Sequence, residues 1–262
     1  MAFDISNFVI DRVIRGVMVS NADGSVMYSI NQIEEPQLSI TADEKTAVDA
    51  MGTTIASFDT AKNAEFSASN SLFDLNLLAT QMGTKKTVGS TGNKIVVPVF
   101  ETIDVDDTEA VLKHAPITGA IDAIYALKGD STLGAKYTAD VTASANSFAY
   151  DNASKTITLP TSVTGGQVFV MYEAEMADAV EVVATATEFP TAGKFIMEVL
   201  GTDVCDTTTL IHAFVIFPNA KLSSNVDVSL TTDGKHPFSM KANQAYCDKK
   251  KRLFSIVIPQ EA

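Results

Sequence analysis

Three histidines, two cysteines and 32 acidic residues are the parts of this 262-residue chain that could cut, ligate or transfer anything. His114, His212 and His236 stand apart, with no HExxH and no pair at helical or strand spacing, so nothing marks them as zinc ligands or as activators of a nucleophile. Cys205 and Cys247 lack a CxxC partner and read as reduced, buried thiols. No GxSxG elbow accompanies the serines. Gly89-Ser90-Thr91-Gly92-Asn93-Lys94 has the wrong spacing for a phosphate loop and follows a helical pattern, where such a loop follows a strand. Two acidic groups remain: Glu101, Asp104, Asp106, Asp107 and Glu109, then Glu173, Glu175, Asp178 and Glu181. Together they could hold a divalent cation, but no Asp/Asn/Gly loop has calcium-ligand spacing, and they read as solvated linkers. The expectation is a chain that is not an enzyme, with no catalytic, cofactor-binding or metal-binding residues.

The elements around these residues are strands. Residues 9–19 and 26–30 flank Asn21-Ala22-Asp23-Gly24, a strong hairpin signal. Residues 37–40 continue the alternation, 41–57 lose it, and 62–69 regain it, so 41–57 read as a long loop that could project as a hairpin. One helix is predicted over 72–82, with Ser71 as N-cap, Asp74 completing a capping box and Gly83 as the left-handed stop. Its face Leu72, Leu75, Ala79 and Met82 would pack on a sheet. A Gly-rich turn spans 88–93 and a strand marked by Pro98 spans 94–100. In FAYDNASKTITLPTSVTGGQVFVMYEAE (148–175), Ile157 and Leu159 share one strand face. Residues 168–172 are apolar on both faces, as in a strand between layers or one covered by a partner. Further strands are expected at 180–187, 195–200, 210–217, 225–230 and 253–258. The fold class is therefore all-β, a mainly antiparallel sandwich or barrel with one packed helix and a second small β module inserted mid-chain. The module is drawn at 111–176 and the main domain at 1–110 plus 177–262.

Charge constrains partners. Nineteen Lys and Arg against 32 Asp and Glu leave −13, which argues against gripping nucleic acid through its phosphates. Residues 113–175 hold four lysines and six acids, so −11 falls outside them. No apolar run approaches the roughly 20 residues of a membrane span, and MAFDISNFVIDR carries acids where a signal peptide is basic, so no membrane partner and synthesis in the cytoplasm are expected.

The order of features, an N-terminal strand pair, a long inter-strand segment (41–57), one capped helix (71–83) and a return to β structure, resembles the tail tube, or major tail, proteins of tailed bacteriophages. The middle stretch is similar to small Ig-like β modules of phage virion proteins, through Pro116 with Gly119, Tyr137-Thr138, and Gly166 with Val168, Val170 and Tyr172. That resemblance implies a structural protein of the virion tail, made in the host bacterial cytoplasm, that self-assembles into stacked hexameric rings. The tube would conduct the genome during ejection, its acidic lumen letting double-stranded DNA pass without adhering. Its partners would be further copies of itself, a tape-measure protein, and tail terminator and baseplate proteins. Candidate self-assembly residues are Phe3 and Phe8 in the first ten residues, Asp43, Glu44, Lys45, Met51, Thr53 and Ile55 in the long segment, and the basic run Lys249, Lys250, Lys251 and Arg252. The run otherwise reads as a solvated turn. The alternative is a β-rich decorating or receptor-binding protein of the virion or cell surface.

Overall fold

Alternating β-branched, aromatic and small residues drive most of this chain into paired strands, with one side chain of each pair directed inward. The computed structural model describes residues 5–121, 123–246 and 249–260. In chain order, β1 (Phe8–Ser20), β2 (Val26–Ile30), β3 (Ile33–Val48) and β4 (Thr54–Asn70) precede the helix α1 (Leu75–Met82). Next come β5 (Thr87–Val88), β6 (Ile95–Asp104), β7 (Glu109–Val111), β8 (Ala123–Leu127), β9 (Leu133–Ala139), β10 (Ser147–Asp151), β11 (Thr156–Thr158), β12 (Gln167–Met176) and β13 (Val180–Glu181). The last four are β14 (Ala192–Asp203), β15 (Asp206–Leu222), β16 (His236–Ala242) and β17 (Ser255–Val257). Contacts divide the chain into two units, Met1–Lys86 with Val182–Ala262, and Thr87–Glu181.

The first unit is an antiparallel sheet in the order β2-β1-β14-β15-β16-β4-β3, with β17 added to β15. It curls into a nearly closed barrel: Gly16 of β1 lies so close to β3 that a Cβ there would meet Ile33 Cδ1 at 2.8 Å. Phe66, Phe195, Phe217 and Phe238 meet inside with ring centroids 5.6 to 6.4 Å apart, joined by the buried Met18, Tyr28 and Met240. The Asn21–Gly24 hairpin forms as expected, Gly24 taking φ 73° and donating to the Ser20 carbonyl at 3.0 Å. Hydrogen bonds from Ser20 and then Ser25 hold the Asp23 carboxyl down at about 2.

Several sequence expectations shift. The helix starts at Leu75, not residue 72, because Asp74 is itself the N-cap, its Oδ1 accepting from Leu77 N at 2.7 Å. Ser71 instead donates to the Gln32 carbonyl and Glu34 Oε1, and Leu72 is 59% exposed. Gly83 ends the helix at φ 78°, where a Cβ would lie 2.4 Å from Phe189 backbone. The expected strand at 180–187 shrinks to β13, and 225–230 forms no strand. β16 was not expected: Pro237 interrupts a pattern in which His236, Phe238 and Met240 point inward. Cys205 is exposed, contrary to the buried thiol expected, because it lies in the tight link between β14 and β15; Cys247 lies outside the described residues.

The second unit is a sheet in the order β6-β12-β8-β9-β10-β11-β7, antiparallel except for β9 with β10. Ile124, Phe148, Ile157, Val168 and Val170 form its fully buried core. The unit reaches beyond 111–176 because β6 pairs with β12 from Ile95↔Met176 to Asp104↔Gln167, and β5 with β13 through Val88↔Val180. The incoming and outgoing segments thus run side by side. On β12, Val168, Val170 and Tyr172 are buried, whereas the other face stays open: Met171 is 60% exposed and Phe169 stacks on the 62% exposed Phe100. Glu101 is not a linker acid. It is buried, accepting from the Tyr172 hydroxyl and from Lys113 N at 3.3 Å, and burial followed by this hydrogen bond pushes the Tyr172 hydroxyl pKa up.

One buried histidine ties α1 to the barrel. His236 stacks on Phe73 with centroids 5.3 Å apart, Nδ1 accepts from Asp74 N at 3.4 Å, and Nε2 lies 2.8 Å from Gln81 Oε1. Since a backbone N–H can only donate and an amide oxygen only accept, the ring is neutral with its proton on Nε2. Burial lowers its pKa, opposed by nearby Asp74. A proton therefore binds the unfolded histidine more readily, so this contribution to stability is complete above about 6.5 and is lost as pH falls toward the lower folded value. Urea unfolding between pH 7.5 and 5 should show stability decreasing with acid, and His236→Gln should be less stable but flatter in that window. Phe66→Ala, which empties the ring cluster, should cost about 3–5 kcal/mol in the same assay.

Candidate assembly surface

Within the first unit the sheet does not use all the strand it makes. β4 is paired on both sides only from Ala64 to Asn70, where β16 and β3 flank it. From Thr54 to Asn63 it pairs with β3 alone. Residues 41–62 therefore form a two-stranded arm, reaching roughly 30 Å at about 3.3 Å per residue. At its tip Asp49 Oδ1 accepts from Met51 N at 2.9 Å and Thr53 N at 2.8 Å, and Gly52 takes φ 84°. The segment expected as an irregular loop is thus a regular hairpin, and the hairpin option was the correct one. It showed no period because both faces meet solvent, so nothing selects alternation.

This arm collects six of the candidate residues. Asp43, Glu44 and Lys45 lie along β3, Met51 and Thr53 in the turn and Ile55 at the start of β4, all exposed. Met51 is 91% exposed, Ile55 71% and Val48 54%. Phe58, 62% exposed and opposite Lys45, lies on the same arm and was not among the candidates, although it is as large and apolar as Met51 and Ile55. Glu44 lies directly opposite Asp59, a like-charge pair that costs stability in an isolated ribbon. Neither carboxylate has an ion-pair partner among the described residues.

The other candidates lie elsewhere. Phe8 opens β1 opposite Asp203, its ring over Gly201, beside the exposed Val9 and Ile10. Phe3 falls outside the described residues. Lys249, Lys250, Lys251 and Arg252 are exposed between β16 and β17, after the Ala242↔Ala64 pair at which the arm leaves the sheet. His212 Nδ1 lies 2.8 Å from Glu198 Oε1, whose Oε2 accepts from Arg15 at 2.6 Å, a surface network. Among the described residues no group of three His, Cys, Asp or Glu is placed to hold a metal ion, and no helix is long and apolar enough to cross a membrane.

A family model matches residues 8–252, and the chain belongs to the YomU/Tube protein family. That membership points to a phage-tail tube structural protein. No curated protein matches the chain.

Because the arm buries little of itself, removing it should barely disturb the barrel. Replacing residues 44–59 with Asn-Gly, so that Asp43 and Thr60 flank a two-residue turn, should shift the unfolding free energy by no more than about 0.5 kcal/mol. A larger loss in urea titrations would make the arm part of the fold.

Proposed function

We propose that this member of the YomU/Tube protein family is the subunit of a phage tail tube, assembling into stacked rings, six subunits to a ring, that conduct double-stranded DNA without binding it. The observation that carries the reading is the arm: an ordered hairpin with large apolar side chains, none of them in the barrel core, on a member of this family. Monomers rarely maintain an exposed apolar ribbon with open edges, whereas a head-to-tail assembly uses both. Tape-measure, terminator and baseplate proteins are the further partners this role requires, and the virion tail is its location. The Thr87–Glu181 unit serves as an inserted β module on this subunit.

Charge supports passage in a revised form. By the structural boundaries, Thr87–Glu181 holds five lysines and thirteen acids, net −8, leaving −5 for the barrel unit. The two acidic groups read as linkers belong to the second unit, which reverses the apportioning expected from sequence. Both units are net negative, so a polyanion meets repulsion from each.

A second reading has its own observation. The open face of β6 and β12, with Phe100, Phe169 and Met171, favours a decorating or receptor-binding role for the second unit. Negative-stain microscopy separates the two. Purified protein should form hollow tubes of uniform diameter, and Met51→Asp with Ile55→Asp should remain folded yet fail to polymerise. Persistent monomers or trimers that bind bacterial cells through the second unit would overturn the tube.

A further inference from the structure

If one copy offers an arm, another must receive it, and the first unit has a receiving surface at its other end. β1, β15 and β4 run in the same direction, being related by successive antiparallel pairings through β14 and β16. The arm tip precedes the start of β4. Past the finishing ends of β1 and β4 lie the Asn21–Gly24 turn and α1, so these stand at the opposite end from the tip. There, β2 and α1 enclose a groove of about 450 Å³, the share of some fifteen liquid waters at roughly 30 Å³ each. Val26, Met27 and Ala79 supply apolar lining, with Lys85 and Lys86 beside them. Val26 is 61% exposed.

We propose that this groove is the socket for the arm tip of a second copy of the same chain, Met51 seating on the apolar lining and the acidic arm facing Lys85 and Lys86. The inference rests on the tube reading and adds the place of contact. Three observations converge on it. The two surfaces lie at opposite ends of one barrel, as a repeating head-to-tail contact requires. The apolar side chains of the arm match the exposed Val26 and half-buried Met27 of the groove. The charges are complementary: residues 41–62 carry four acids and two lysines, including the mutually repelling Glu44 and Asp59, while Lys86 has no ion-pair partner among the described residues. Asp23, close enough to Lys85 to be influenced by it, uses part of that charge. Lysines over the ribbon would relieve the Glu44–Asp59 repulsion, so docking would stabilise the arm as well as the contact.

Two measurements test this on the full chain. Lys85→Glu with Lys86→Glu should slow tube growth at least tenfold by light scattering, and adding Glu44→Lys with Asp59→Lys should restore growth. In a Cys205→Ser, Cys247→Ser background, Met51→Cys with Val26→Cys should form a ladder of intermolecular disulfides in tubes under mild oxidation, and neither single variant should. Normal tubes from the doubly reversed lysine variant, or tubes in which the paired cysteines stay unlinked, would move the socket elsewhere while leaving the tube reading intact. Absence of tubes from the unaltered chain would remove both.

Discussion

Every strand carries two rows of backbone donors and acceptors, and how far each row is matched governs the architecture of this chain. In the barrel unit the inner strands of the order find neighbours on both sides along part of their length, whereas β2 and β3, its two ends, each leave one row open. Further open rows lie inside the order. β4 loses its second neighbour beyond Ala64, and the β14–β15 hairpin beyond β17 has only β1 beside it. Water satisfies these open rows, so they cost the monomer little, yet they remain templates for another strand. The arm tip is held in shape by Asp49 and Gly52 rather than by packing, which lets an ordered ribbon exist without a core.

Two buried polar contacts fix what apolar packing leaves free. Aromatic rings inside the barrel tolerate some sliding, but His236 has one donor to satisfy and one to accept, and both lie on or next to α1. That sets the helix in one register on β16. In the second unit, Glu101 plays the same part, joining β6 to Tyr172 of β12 and to the backbone after β7. Leaving either group unpaired would carry the full cost of burying it, so these contacts penalise misregistered strands more than they stabilise the correct ones.

What was legible in the sequence follows the same physics. Strands with one face in a core announced themselves by alternation, so β1, β2, β14 and β15 were found, and Gly83 marked the helix end through its backbone. The arm was ambiguous because solvent on both sides leaves no pattern. β16 was hidden by Pro237 and a buried histidine, each of which argues locally against a strand interior. The shift in helix start turned on which of Ser71 and Asp74 caps, a choice decided by Ser71 bonding to Gln32 and Glu34, 39 and 37 residues away. For the candidate assembly surface, six of the residues named from the sequence fall on the arm, but sequence alone had no means of placing them at one end of a barrel. The groove beside α1 left no motif at all, since Val26, Ala79 and Lys86 meet only through the fold.

The apportioning of charge shows why net values mislead in such a molecule. The barrel unit is −5, less acidic than the smaller unit, which by itself weakens the proposed non-adhesive channel. Four of its fourteen positive charges, however, sit together in Lys249–Arg252, a single exposed turn between β16 and β17. Without that turn, ten Lys and Arg face nineteen acids and the unit is −9. Charges act on DNA only within roughly 8 Å at physiological salt, so where these four lie in a tube decides whether they count against passage. Gathering four cations into one turn thus makes the unit's net charge understate the acidity of the rest of its surface.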